Sequence, residues 1–257
     1  MASHGAPWTL STDDIDVANV RGRTPRPDIA VIIPAKNEAT TIGAVVDAVT
    51  QDHMVAEVVV VNDHSSDDTA SVALRHGARM VNLVGPSGKG EALSAGLRAT
   101  SADLVVFLDG DVLNPGSDYV ARMIYPLLAN PEIHLVKGYY VRPLHDMPSG
   151  GGRVNELAAR PILSLLYPGL GEIRQPLAGE TAARRGILDA LTLESSYGVE
   201  IALLIDVARK FGVGSLAQVD LGVRRHRNRP LEELRPMAVQ VLRAAIERFG
   251  IDLPGAN

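Results

Sequence analysis

The chain has 257 residues, a formal net charge of −5, 46% apolar and 21% charged residues, and no cysteine. That length suits one large α/β domain with a sizeable core. The acidic balance, with lysines and arginines dispersed except between Arg224 and Arg229, excludes a generic nucleic-acid binder, and the lack of cysteine removes disulfides and thiolate nucleophiles.

The first 26 residues are polar and carry no apolar core of a signal peptide. No later apolar run reaches the roughly 20 residues that span a bilayer. A cytoplasmic protein with no membrane partner is therefore expected, with residues 1–27 as a flexible N-terminal segment and the ordered fold beginning near Asp28.

Ile29 to Ile33 is a short, wholly apolar strand ended by Pro34; Ala35-Lys36-Asn37-Glu38 follow, then a helix from about Thr40 that Thr40 or Thr41 can cap. Val58 to Val61 is a second buried strand, closed by Asn62-Asp63-His64-Ser65-Ser66-Asp67-Asp68-Thr69, which can cap a helix and leave side chains for a ligand. A third strand, about Arg79 to Val84, leads through Gly85-Pro86-Ser87-Gly88-Lys89-Gly90 into a helix from Glu91 to Ala99. Glycines and one lysine before a helix suit a phosphate contact, although the spacing is not that of a P-loop. The fourth strand, Leu104 to Leu108, stops at Asp109-Gly110-Asp111. Polar residues at each strand's carboxyl end spell a parallel, doubly wound nucleotide-binding sheet. The absence of Gly-x-Gly-x-x-Gly after the first strand counts against a dinucleotide cofactor. Asp-Gly-Asp reads either as a turn or as hard oxygen donors for Mg²⁺ or Mn²⁺ on a diphosphate.

In the carboxyl half, Val136 to Tyr140 reads as a strand, and Gly150-Gly151-Gly152 runs into a helix with Arg153 in its first turn. Backbone amides plus a guanidinium make an anion pocket; a solvated arginine on a loop is the plain alternative. Gln175 to Glu180 is expected to precede a helix. Tyr197-Gly198-Val199-Glu200 opens another, with an apolar stripe of Ile201, Leu204, Ile205 and Ala208. Glu200 there either complements the helix dipole or holds sugar hydroxyls. A strand from Val219 passes into a basic loop with His226 and Asn228, before a terminal helix from about Leu231 to Phe249. His226 is either a surface histidine or a metal ligand.

The ordered strings Val31 to Glu38, Asn62 to Thr69, Gly88 to Leu93 and Leu108 to Asp111 resemble the signature of GT-A-fold glycosyltransferases that use nucleotide sugars. The resemblance implies an α/β, GT-A (Rossmann-like) sheet, with residues 28–118 as a nucleotide-sugar half and 119–257 as an acceptor half of one domain. Pro34, Ala35, Asn37 and Glu38 are then expected to line the nucleotide, Asp63 to face the base, Lys89 to approach base or phosphate, and Asp109, Gly110 and Asp111 to serve donor and metal.

The later strings, Gly150 to Pro161, Pro176 to Glu180, Tyr197 to Glu200 and Val219 to Pro230, resemble the retaining glucosyl-3-phosphoglycerate synthases and their mannosyl relatives, from about Ile29 to Leu234. That likeness implies UDP-glucose as donor, 3-phosphoglycerate as acceptor, Mg²⁺ or Mn²⁺ held by Asp111 and His226, and a homodimer. It further implies acceptor contacts at Gly152, Arg153, Asn155 and Asn228, donor-sugar contacts at Leu177 and Glu200, and a catalytic set of Lys89, Asp111 and Glu200. Asn155 stands where the family pattern has threonine, and Ala39 where its first loop usually has a second glutamate. GDP-mannose as donor, another small phosphorylated or carboxylated acceptor, and a nucleotide-sugar-binding protein without transferase activity stay open as alternatives. Retention is expected through front-face attack, or through a covalent intermediate on Glu180 or Glu200.

Overall fold

The computed structural model describes residues 5–144, 147–150, 152–225 and 230–253. Eight strands form one sheet: β1 (Trp8–Leu10), β2 (Ile29–Ala35), β3 (Glu57–Asn62), β4 (Arg79–Asn82), β5 (Leu104–Phe107), β6 (Leu135–Val141), β9 (Thr181–Arg184) and β10 (Leu216–Val223), in the order β1-β10-β6-β9-β5-β2-β3-β4. A two-stranded hairpin, β7 (Pro143–Leu144) with β8 (Met147–Gly150), stands apart from it.

The helices are α1 (Val17–Arg21), α2 (Ile42–Thr50), α3 (Thr69–Arg75), α4 (Lys89–Ala99), α5 (Tyr119–Ala129), α6 (Arg160–Leu166), α7 (Arg185–Asp189), α8 (Val199–Phe211) and α9 (Leu231–Phe249). No helix among the described residues is long and apolar enough to cross a membrane.

The apolar runs read as strands because both faces of the sheet are covered. Alternation along each strand divides the interior into two cores. Ile29, Val31, Ile33, Val58, Val60 and Val106 pack with residues of α2, α3 and α5. Ile32, Val59, Val61, Val105 and Phe107 pack with residues of α4, α6, α8 and α9. Each strand thus needs apolar residues on both sides, and the period of two is invisible in sequence.

Topology places the site. From β2 the chain steps through β3 to β4 on one side, then returns through α4 to β5 on the other side of β2. The carboxyl ends of β2 and β5 therefore flank the crevice where strand order reverses, which is where open α/β sheets take ligands. Pro34 and Ala35 end one of these strands, and Asp109 follows the other. The two loops are joined by the buried Thr41 hydroxyl, which donates to the Gly110 carbonyl at 2.7 Å.

Two expectations are corrected. Residues before Asp28 do not lie outside the fold: β1 pairs in parallel with β10, with Trp8 opposite Ala217 and Leu10 opposite Val219. The Arg21 guanidinium, on α1, reaches the buried Asp52 carboxylate at 2.9 Å and the Ser117 carbonyl at 2.7 Å. Three residues of strand gain their place from a partner more than two hundred positions away, which no local pattern announces.

The segment after Glu180 is likewise a strand and not a helix. β9 runs antiparallel between β5 and β6, and only then does the chain enter α7. Running against its neighbours, β9 delivers its amino end to their carboxyl edge. The turn at Gly179 is thereby laid against the Asp109 carboxylate at that edge.

Candidate functional site

A cavity of about 690 Å³ occupies the carboxyl edge. The described donor, acceptor and catalytic candidates line it, though Glu180 does not: Pro34, Ala35, Asn37 and Glu38 after β2, Asp63 after β3, Lys89 on α4, and Asp109, Gly110 and Asp111 after β5. From the carboxyl half come Gly152, Arg153, Asn155, Leu177 and Glu200. His226 and Asn228 lie outside the described residues.

At one end the first two loops clasp each other. Asn37 sits in the left-handed region at φ 56°, and its side-chain carbonyl accepts the Ser66 amide at 2.8 Å. The Thr69 hydroxyl accepts the Glu38 amide at 2.8 Å, turning the first loop onto α3. Ser87 donates to Asp63 Oδ2 at 2.7 Å, and Lys36 Nζ donates to Ser87 Oγ at 2.8 Å. His64, at φ 55°, places its Nδ1 3.0 Å from Asp63 Oδ1. The Asp63 carboxylate is thus oriented from two sides.

At the centre, Lys89 Nζ donates to Asp109 Oδ1 at 2.7 Å and pairs with Glu200 Oε1. Burial alone would lower the pKa of this amine, but the two carboxylates outweigh it and hold the pKa well above the usual lysine value. Lys89 is therefore a fixed cation spanning the first and second halves of the chain.

The glycines around Lys89, expected to suit a phosphate contact, also have a packing role. A Cβ on Gly90 would fall 1.6 Å from the Glu194 carbonyl oxygen, and one on Gly88 would fall 2.5 Å from that of Ser195. The Glu91 amide donates to the Ser195 carbonyl at 3.1 Å, so the amino end of α4 is already met by backbone. Both glycines let the Glu194–Ser195 segment close on α4, which holds Lys89 opposite Glu200.

Gly179 was not singled out as a site residue, and its place explains the Asp109 orientation. A Cβ there would lie 2.1 Å from Asp109 Oδ1 and 2.3 Å from its Cγ. Only glycine lets the turn before β9 lie flat on this carboxylate. The chain following Asp111 is fixed equally closely. The Asn114 side chain donates to the Val223 carbonyl at 2.8 Å and accepts the Arg225 amide at 2.7 Å, while the Leu113 amide donates to the Arg225 carbonyl at 3.1 Å.

Asn155 opens a π-helical turn, Asn155–Ala159, that continues into α6. It is buried, and its amide is engaged within the protein, donating to the Arg174 carbonyl at 3.3 Å and accepting the Leu177 amide at 3.4 Å. Its side chain therefore holds the turn that presents Leu177.

Lys137 is a further buried cation, outside the set of site residues expected from the sequence. In the middle of β6, its amine donates to the Ala178 carbonyl at 2.5 Å and the Thr181 hydroxyl at 2.8 Å. Burial pushes its pKa down to about 8; the charge on Glu200 opposes this and that on Lys89 adds to it. The folded value lies below the ordinary 10.5, so between about pH 8 and 10.5 the unfolded chain binds more protons, and stability due to this group rises with pH across that window. Below pH 8 the cost of the buried charge is fully present. The unfolding free energy of the native chain minus that of Lys137→Met is expected to grow by about 2 kcal/mol between pH 7 and pH 10. Urea titrations at both pH values measure it, and a pH-independent offset would mean that the amine does not titrate there.

A switch-point crevice with two interlocked loops at one end, a lysine between carboxylates and Asp-Gly-Asp at the strand end belongs to a GT-A glycosyltransferase. The glycosyl transferase family 2 model matches residues 30–152. The chain is 45% identical over 271 residues to the glucosyl-3-phosphoglycerate synthase of Mycobacterium tuberculosis strain H37Rv, an alignment covering 99% of this chain and 81% of that one. It belongs to the glucosyl-3-phosphoglycerate synthase family. The crystal structure of the M. tuberculosis synthase with Mn²⁺ and UDP-glucose superposes with a TM-score of 0.89 at 41% identity, covering 97% of this chain and 89% of the other. The complex of that synthase with Mn²⁺, UDP and glucosyl-3-phosphoglycerate gives 0.90 at 42% identity, covering 98% and 90%.

Proposed function

We propose that this chain transfers glucose from UDP-glucose to 3-phosphoglycerate, with retention at the anomeric carbon and with Mg²⁺ or Mn²⁺ bound. The observation that carries the proposal is Lys89 fixed between Asp109 and Glu200 in the switch-point cavity. The relatives' complexes with UDP-glucose and with UDP and product support it.

The charge of the cavity fits a divalent cation. Among the described residues, Glu38, Asp63, Glu91, Asp109, Asp111 and Glu200 line it against Lys36, Lys89, Arg142 and Arg153, a formal excess of two negative charges. Both substrates are anions, so the wall needs a further cation to take them. The carboxylate of Asp111 with the imidazole of His226 would hold it, hard oxygen and neutral nitrogen suiting Mn²⁺ or Mg²⁺. Such an ion neutralises charge on a bound diphosphate.

The clasp around Asp63 takes the nucleoside, with Pro34, Ala35, Asn37 and Glu38 along it. Glu200 and Leu177 orient the sugar, and Asp109 and Gly110 serve the donor. Lys89 stabilises negative charge on the departing diphosphate, a preorganised cation held by Asp109 and Glu200. Arg153, Gly152, Asn155 and Asn228 serve the acceptor, and Asn155 also holds the turn that presents Leu177 to the donor sugar.

The structure bears on retention through Glu180. This carboxylate is fully buried, ion-paired with Arg224 and absent from the cavity lining, so it is no nucleophile for the donor. Glu200 is engaged by Lys89. Front-face attack, with the leaving phosphate oxygen taking the acceptor's proton, fits these commitments. The proposal includes a cytoplasmic homodimer, for which the exposed Leu157 and Leu165 offer apolar surface.

Release of free nucleoside diphosphate tests the reading, with UDP-glucose and GDP-mannose crossed against 3-phosphoglycerate and D-glycerate in Mn²⁺ or Mg²⁺. Turnover is expected with UDP-glucose and 3-phosphoglycerate and is lost on chelation. Metal-dependent UDP binding without product from either acceptor overturns it.

A further inference from the structure

We propose that Arg142 contacts the acceptor's phosphate and, beside Arg153, sets the preference for a phosphorylated acceptor; this rests on the reading above. Arg142 directly follows β6, whose carboxyl end faces the crevice. Residues two apart on an extended chain share a face. Tyr140 and Arg142 both line the cavity, whereas Val141 between them turns away and is 50% exposed.

The cations of the cavity are distributed unequally. Lys89 is held at the centre by Asp109 and Glu200, and Lys36 at the nucleoside end by Ser87. Arg142 stands with Arg153 and Gly152 in the part of the wall built by the carboxyl half. Its Nε is buried and has no hydrogen-bond partner among the described residues. Guanidinium nitrogens only donate, and a buried donor left unpaired is costly, so an acceptor oxygen is the group this position lacks.

The acceptor supplies one. A phosphate near neutral pH carries about −1.5 to −2 in charge and three acceptor oxygens, and the carboxylate adds one further charge. Against a wall with an excess of carboxylates, one guanidinium at the acceptor end does not balance that. A planar fork of N–H donors matches phosphate geometry better than a lysine ammonium does.

Arg142→Met and Arg142→Lys test the assignment, each assayed beside the native chain. Arg142→Met is expected to raise KM for 3-phosphoglycerate about 10- to 100-fold, leaving KM for UDP-glucose within about two-fold. Arg142→Lys recovers only part of the loss. Calorimetric titration with 3-phosphoglycerate and with D-glycerate reads the contact directly: Arg142→Met loses affinity for the phosphorylated ligand and keeps it for the other. An unchanged acceptor KM overturns the assignment, as do equal rises in both KM values or an equal loss of affinity for both ligands. Failure of the native chain to turn over 3-phosphoglycerate removes the parent reading as well, an outcome visible before any variant is compared.

Discussion

Lys89→Met is expected to lower kcat by about 10²- to 10³-fold with a smaller change in KM for UDP-glucose, the loss seen when a single preorganised donor to developing charge is removed. Methionine keeps most of the volume of the side chain and removes only the cation. What remains is Asp109 and Glu200 facing one cavity with no ammonium between them. Charge building on the leaving diphosphate then meets carboxylates where it had met a cation. Steady-state kinetics with UDP release as the signal measures the effect, and a kcat within about three-fold of the native value would remove Lys89 from the chemistry.

The same lysine predicts a featureless pH response of its own. Its pKa is raised, because the attraction of Asp109 and Glu200 outweighs the opposing effect of burial. A raised lysine value contributes stability that is fully present below the unfolded value of 10.5 and lost only as pH climbs through the folded value. No limb of the kcat profile between pH 6 and pH 9 therefore belongs to Lys89. Over that range it acts as a fixed charge and takes no part in proton transfer.

Legibility in the sequence followed the range of the determining contacts. The strands β2, β3, β5 and β6 were readable because each is an apolar run with polar residues at its end, and α9 because its pattern is local and long. The donor half of the cavity followed from them, since the carboxyl ends of consecutive parallel strands must share an edge. β9 was not readable: Thr181-Ala182-Ala183-Arg184 is short and alanine-rich, and becomes a strand only through β5 and β6 on either side. Because β9 went unseen, the close approach of Gly179 to Asp109 went unseen with it. The close approach of Glu194 and Ser195 to Gly88 and Gly90 leaves no local signal, because loop glycines before a helix look alike whether a ligand or a backbone approaches. Lys137 did leave a signal. A lysine amid the apolar run from Leu135 to Tyr140 requires a buried partner, and that requirement alone marks it.

The largest effect on stability is expected at the pair of Glu180 and Arg224. Arg224 is 1% exposed and Glu180 fully buried, and the guanidinium also lies 5.2 Å from the ring centroid of Tyr140 and 5.9 Å from that of Tyr119. Arg224→Met leaves the Glu180 carboxylate in the interior without its counter-charge, which costs about 3–5 kcal/mol. For a domain of this size that corresponds to a fall of roughly 10 °C in Tm. Glu180→Gln combined with Arg224→Met removes both charges and is expected to recover most of the loss, because a matched pair of neutral side chains no longer bears the desolvation penalty. Thermal unfolding of the two single variants and the double variant measures the coupling, and additive losses would show that the pair does not act as one unit. Activity adds a second readout. Glu180 directly follows Gly179, which lies on Asp109, and Arg224 precedes Arg225, whose amide and carbonyl are bound by Asn114 and Leu113. If the double variant regains stability while its affinity for Mn²⁺ and UDP stays low, the ion pair sets the placement of Asp109 and Asp111 independently of its part in folding.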